Sequence, residues 1–95
     1  MLDLAAAAAS AGMAPRTLQT LFHENGTTFS RFLLEQRLLL ADRQLRDLAP
    51  KASITEIAYA VGFSDLSYFN RAFRRRFGMT PSERRSFETI ERRRP

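Results

Sequence analysis

With 95 residues the chain has room for one small domain, and 44% apolar residues with eight Phe supply a thin core. It has no cysteine, which excludes a disulfide framework and thiolate metal sites, and a single histidine is a poor basis for a metal centre. The net charge of +5 resides entirely in residues 51–95, because residues 1–50 balance five Arg against five acids, so attraction to a polyanion is expected mainly from the second half.

In chain order, the pattern predicts helices throughout. Residues 3–10 form a short helix, since an alanine run has the highest intrinsic propensity. Residues 14–24 form a second, with Pro15 tolerated in its first turn. Thr28 is placed to cap a long helix running to Leu48, whose inner face is Leu34, Leu38, Ala41, Leu45 and Leu48. Phe29, Phe32, Leu33 and Leu40 widen that apolar arc, so the helix is expected to touch two neighbours, and Ala49-Pro50 stops it. Ser53, with Glu56 three residues on, has the pattern of a capping box. A helix over residues 65–77 follows a turn at Gly62, with Ser64 expected to cap it. Thr80-Pro81 starts the last helix, to residue 93, and the Arg92, Arg93, Arg94 run is expected to fray as a soluble tail. No segment alternates as a strand does, and no apolar run approaches the ~20 residues that span a bilayer. Residues 5–9 are too short and too weakly apolar for a signal-peptide core. A cytoplasmic address, with no membrane contact, is the default expectation.

Residues 54–81 carry the chemistry. Ala58 is small enough for two helices to cross closely, and Gly62 four residues later supplies the positive φ that turns the chain. The following helix has Phe69, Ala72, Phe73 and Phe77 on one side and Ser67, Asn70, Arg71 and Arg74 on the other. A polar face of this kind, braced by a shorter helix, suits a DNA major groove. The same pattern stands upstream. Leu4, Ala8, Gly12 and Met13 match Ile54, Ala58, Gly62 and Phe63 at an offset of 50. Leu18, Leu21 and Phe22 match Phe69, Ala72 and Phe73 at 51, and the exposed stripe becomes Arg16, Gln19, Thr20 and His23. An internal duplication is therefore visible in the chain itself. About 20 residues of connecting helix span ~30 Å, close to the ~34 Å between successive major-groove faces. Two recognition helices in adjacent grooves are the expectation.

The runs IAYAVGF, SYFNRAF and FGMTP, with GMAPRTLQTLF upstream, resemble the AraC/XylS family of bacterial transcription regulators over residues 2–87. The resemblance implies an all-α DNA-binding domain with two helix-turn-helix units joined by a long central helix. Within the single domain 1–95, residues 2–27 form the first unit, 28–49 the linker helix, 53–78 the second unit and 80–93 the C-terminal helix. It also implies double-stranded DNA as partner, RNA polymerase as a further one, and no cofactor. Family domains usually start with one more helix, and family regulators usually carry an effector or dimerisation domain. Both look absent, so the chain resembles a fragment.

Arg71 heads the candidate residues: the family places it facing DNA, where it reads a guanine edge or binds a phosphate, and Asn70 suits adenine. Arg74 continues the stripe, Arg75 reaches toward a phosphate, and Arg76 lies nearer the inner side, where it snorkels or pairs with an acid. Gln19 suits adenine and Arg16 guanine or phosphate. Thr20 stands where the family often has a basic residue, which implies a lighter grip by the first unit. His23 reads as an exposed polar residue of the stripe. Thr80 and Ser82 suit either a phosphate or plain N-capping. With no Cys, one His and no phosphate-cradling glycine loop, no catalytic apparatus is recognisable. The other readings are a helical protein-interaction module and a non-specific nucleic-acid binder.

Overall fold

The computed structural model describes residues 3–47 and 52–92, apart from the side chains of 88–92. The described residues form six helices and no strand: α1 (Leu4–Ser10), α2 (Pro15–Glu24), α3 (Phe29–Arg46), α4 (Ile54–Ala60), α5 (Leu66–Phe77) and α6 (Pro81–Arg92). This is the all-α order that the sequence predicts. The proposed end of the long helix at Leu48, the Ala49-Pro50 stop and the tail residues Arg93 and Arg94 lie outside the described residues. The chain divides into two compact units, Met1–Glu35 and Gln36–Pro95, and the division falls inside α3.

The first unit is built from α1, α2 and the start of α3. Asp3 Oδ1 accepts the Ala6 N–H at 2.8 Å and caps α1. At its other end the Met13 N–H reaches Ala8 O (2.9 Å) and the Gly12 N–H reaches Ala9 O (3.1 Å). These two bonds are a Schellman termination, with Gly12 at φ 70° in the left-handed position. Buried Ala8 leaves room for close approach, while Phe22 packs against Phe29 and Phe32 at 5.9 and 5.2 Å between ring centroids. Thr28 Oγ1 accepts the Arg31 N–H at 3.2 Å, as a cap of α3 must.

The second unit holds most of the core. Leu38, Ala41 and Leu45 from α3 are buried, as are Ile57 and Ala58 from α4, Val61 and Phe63 from the turn, and Phe69 and Phe73 from α5. Their spacing on α3 is the predicted inner face. The wider arc does not all go inward: Phe32 and Leu40 remain 44% and 42% exposed. The capping box at α4 is complete, with the Glu56 N–H on Ser53 Oγ (3.0 Å) and the Ser53 N–H on Glu56 Oε1 (3.4 Å). α5 is capped by Asp65, whose Oδ1 accepts the Tyr68 N–H at 3.1 Å, not by Ser64. Ser64 lies one residue too early for the N3 amide of this helix.

One feature had no local signal in the sequence. Asp42 on α3 is the buried charged residue among those described. Its Oδ2 accepts from Arg46 Nε at 3.1 Å, and its Oδ1 lies 2.8 Å from Arg84 Nε on α6. The Asp42 and Arg84 side chains are only 11% and 12% exposed. The Arg84 N–H is not aligned on Oδ1 for a hydrogen bond, so this contact is an ion pair held by charge and packing. Removing one member of such a pair leaves the other charge buried and uncompensated.

Phe73 is fully buried. Phe73→Ala is expected to destabilise the second unit by about 3–5 kcal/mol, read as a lower denaturation midpoint. An unchanged midpoint would show that its ring does not hold the core. The first unit has Ala8 as its one buried apolar residue among those described, against nine in the second. Amide hydrogen exchange is therefore expected to be faster over residues 3–24 than over 53–77, and equal protection would contradict the packing argument.

Candidate nucleic-acid interface

The α4–α5 turn sets which side of α5 faces outward. The Phe63 N–H bonds Ala58 O at 2.9 Å and the Gly62 N–H bonds Tyr59 O at 3.1 Å, a second Schellman termination with Gly62 at φ 113°. A β-carbon on Gly62 would lie 2.7 Å from Arg37 Nε, the end of a side chain that can shift, so it is the backbone angle that calls for glycine here. The chain then turns inward at Phe63, whose ring packs at 4.9 Å on Phe69. The aromatic run continues Phe69 to Phe73 (5.8 Å) and Phe73 to Phe77 (4.6 Å) along the inner side of α5. With that side buried, the helical period sends Ser67, Asn70, Arg71 and Arg74 outward, and all four are exposed.

Arg71 and Arg75, among the described residues, are held in no ion pair, so both guanidiniums are available to a ligand. Arg76 lies over the Phe77 ring at 4.8 Å, a cation–π placement that accords with its predicted position near the inner side. Sequence reasoning passed over Tyr68. It is 44% exposed on the first turn of α5, beside Arg71 in helical phase, and its ring packs 6.0 Å from Phe63. Its signal was available as an aromatic between Ser67 and Phe69 that the apolar stripe does not require.

Thr80 acts as the cap of α6. The Thr80 N–H donates to Glu83 Oε1 at 3.0 Å and the Glu83 N–H donates to Thr80 Oγ1 at 3.1 Å, so the capping reading has its geometry. The Thr80 backbone N–H first, and then its side chain, hold the Glu83 carboxyl below the usual carboxylate range, with Arg74 adding a smaller push in the same direction. Glu83 is thus ionised at neutral pH, close enough to Arg74 to share its field. Ser82 is exposed at the same helix end.

On α2 the stripe residues Arg16, Gln19, Thr20 and His23 are exposed too. They are not equivalent. Thr20 Oγ1 donates to Arg16 O at 3.0 Å, which ties its hydroxyl proton to its own helix. Gln19 and His23 line a groove of about 320 Å³ with Leu4 and residues 27–30. α2 begins at Ala14 with no side-chain cap, where α5 has Asp65.

Residues 7–86 match the family model described as "Helix-turn-helix domain". The chain is 52% identical over 71 residues to "Transcriptional activator RhrA" of Rhizobium meliloti (strain 1021), a match covering 75% of this chain and 23% of that protein. Among solved structures it is similar to a DNA-binding transcriptional dual regulator from Escherichia coli K-12, with a TM-score of 0.85 and 30% identity over 94% of this chain and 78% of that one. It is also similar to a transcriptional regulator from Chromobacterium violaceum, an AraC-type DNA-binding domain-containing protein, with a TM-score of 0.82 and 34% identity over 92% of this chain and 77% of that one. The chain spans only 23% of the length of RhrA. A match over residues 7–86, joined to two such turns and to these folds, makes the chain a member of the AraC/XylS family, within its helix-turn-helix domain.

Proposed function

We propose that this chain binds double-stranded DNA in a sequence-specific manner, through α2 and α5 in major grooves, and that it serves transcription regulation in the cytoplasm. The observation that carries the reading is the α5 face, where Ser67, Asn70, Arg71 and Arg74 are exposed opposite a buried aromatic run. An amide and a guanidinium side by side supply the donor and acceptor pattern for adenine and guanine edges. The names of the similar regulators support the same class of activity.

In this reading Asn70 and Arg71 address base edges, with Ser67 and Tyr68 beside them at the N-terminal end of the helix, the part that enters the groove deepest. Arg74 and Arg75 take phosphates. Thr80 and Ser82 lie at the same helix end, and Ser82 adds a hydroxyl contact more readily than Thr80, whose hydroxyl is already engaged with Glu83. On α2, Arg16 and Gln19 do most of the work, with Thr20 and His23 at the edge of the contact. A contact with RNA polymerase belongs to the same proposal, through surface that the DNA face does not use. No described helix is long and apolar enough to cross a membrane.

Selection of bound duplexes from a random pool tests the proposal directly. A recovered consensus supports it, and a pool that stays random after several rounds refutes it. Four guanidiniums on the two faces predict a log–log dependence of affinity on salt with slope roughly −3 to −4. A slope near zero would refute duplex binding.

Arg71→Ala is expected to cost roughly 1–3 kcal/mol on the selected site and to relax preference at one base pair. An equal loss on all sequences would assign Arg71 to phosphate instead. Gln19→Ala is expected to cost less than Arg71→Ala, because the α2 stripe offers one guanidinium, Arg16, and a hydroxyl already bonded to its own helix. Equal losses for the two variants would remove the asymmetry between the units.

A further inference from the structure

Arg84 connects three helices of the second unit. It sits on α6, its Nε lies 2.8 Å from Asp42 Oδ1 on α3, and its guanidinium lies 5.9 Å from the Phe77 ring centroid at the end of α5. The pair is nearly enclosed, with the two side chains 12% and 11% exposed. Stability alone does not account for it. An apolar pair of similar volume in such a place is often as stable or more so. A buried pair does restrict how its elements can be arranged, since sliding or rotating α6 would strand two charges away from water.

That restriction falls on the recognition helix. Phe77 is the last link of the run Phe63, Phe69, Phe73, Phe77, which lines the inner side of α5 from end to end. A twelve-residue helix turns as one body. A rotation of about 20° carries a side-chain tip at a radius of about 6 Å through roughly 2 Å, enough to break a hydrogen bond to a base edge. We propose that Arg84, held by Asp42, is a positioning residue for α5: it fixes the rotation of the recognition helix and so the aim of Asn70 and Arg71. Arg46, the exposed second partner of Asp42, balances the carboxylate from the solvent side. Arg84 itself touches no DNA. The inference rests on the proposed DNA binding of the same helix.

The test uses the 95-residue chain with the double substitution Asp42→Leu and Arg84→Met, which removes both charges at similar volume. Arg84→Lys, which keeps a charge but not the guanidinium plane, is the variant to read if the double one does not fold. Two readouts are compared with the unaltered chain: the ratio of affinities for the selected and a random duplex, and the amide chemical shifts of residues 67–71 without DNA. These amides lie about 9–15 Å along the axis from Phe77. Positioning predicts shifts reaching residues 67–71 and a ratio reduced about tenfold, the equivalent of one base contact, with random-duplex affinity unchanged. Shifts confined to α3, α6 and the end of α5, or an unchanged ratio in a folded variant, overturn it. If the unaltered chain shows no preference between duplexes, the DNA reading itself fails, and the amide shifts alone then decide whether Arg84 sets α5.

Discussion

Two helices that meet at a tight turn leave backbone carbonyls unpaired at the end of the first and N–H groups unpaired at the start of the second. The turn must satisfy both within a few residues and still send the next residue into the core. At α4–α5 the bonds from Phe63 to Ala58 and from Gly62 to Tyr59 satisfy the carbonyls, and Asp65 satisfies the amide of Tyr68. The left-handed Gly62 is what lets Phe63 turn inward onto Phe69. The contact of Phe63 with Phe69 sets the phase of α5 at its N-terminal end, and with it the side of the helix that Asn70 and Arg71 occupy. The exposed face is therefore a consequence of how the preceding helix ends.

The duplication shows which parts of that solution are obligatory. The two Schellman bonds recur at α1–α2 with the same partners, Met13 to Ala8 and Gly12 to Ala9, and nearly the same lengths. Buried alanines recur at positions 8 and 58. Elsewhere the copies diverge. Met13 is half-buried where Phe63 is buried, Ala14 offers no cap where Asp65 does, and Thr20 bonds back to its own helix where Arg71 has no ion pair among the described residues. The turn geometry is kept while cap, core and charge have drifted, all toward a weaker first unit.

The legible parts of the chain are those whose cause is local. Helical period gave the inner faces of α3 and α5, and the Ser53–Glu56 spacing gave a complete capping box. Choosing between Ser64 and Asp65 as cap was harder, since both are good cap residues and only the helix start decides. The same ambiguity applies at Thr80 and Ser82, where capping and phosphate binding ask for the same side chains. The exposure of Phe32 and Leu40 was hidden because an apolar pattern states preference, not what lies opposite. The Asp42–Arg84 pair was illegible for a simpler reason: its members are 42 positions apart, and no short-range rule joins them. Tyr68 is legible as an aromatic that the period of the apolar stripe leaves outside the core, and it is 44% exposed.

Net charge alone would describe this molecule poorly. The positive excess lies after residue 50, but its arginines are put to different uses by their place on each helix. Arg84 is drawn inside by Asp42, and Arg76 sits over the Phe77 ring. Arg74 shares the field of Glu83, whose carboxylate the α6 capping box keeps ionised. Arg71 and Arg75 remain unpaired among the described residues. A phosphate chain approaching α5 therefore meets a few fixed charges and not a diffuse +5. In the proposed complex, long-range attraction scales with the total, whereas register on the duplex depends on the few charges left unpaired, and those are selected by helical phase, which the Gly62 turn sets from one end of α5 and, as proposed, the Phe77 contact from the other.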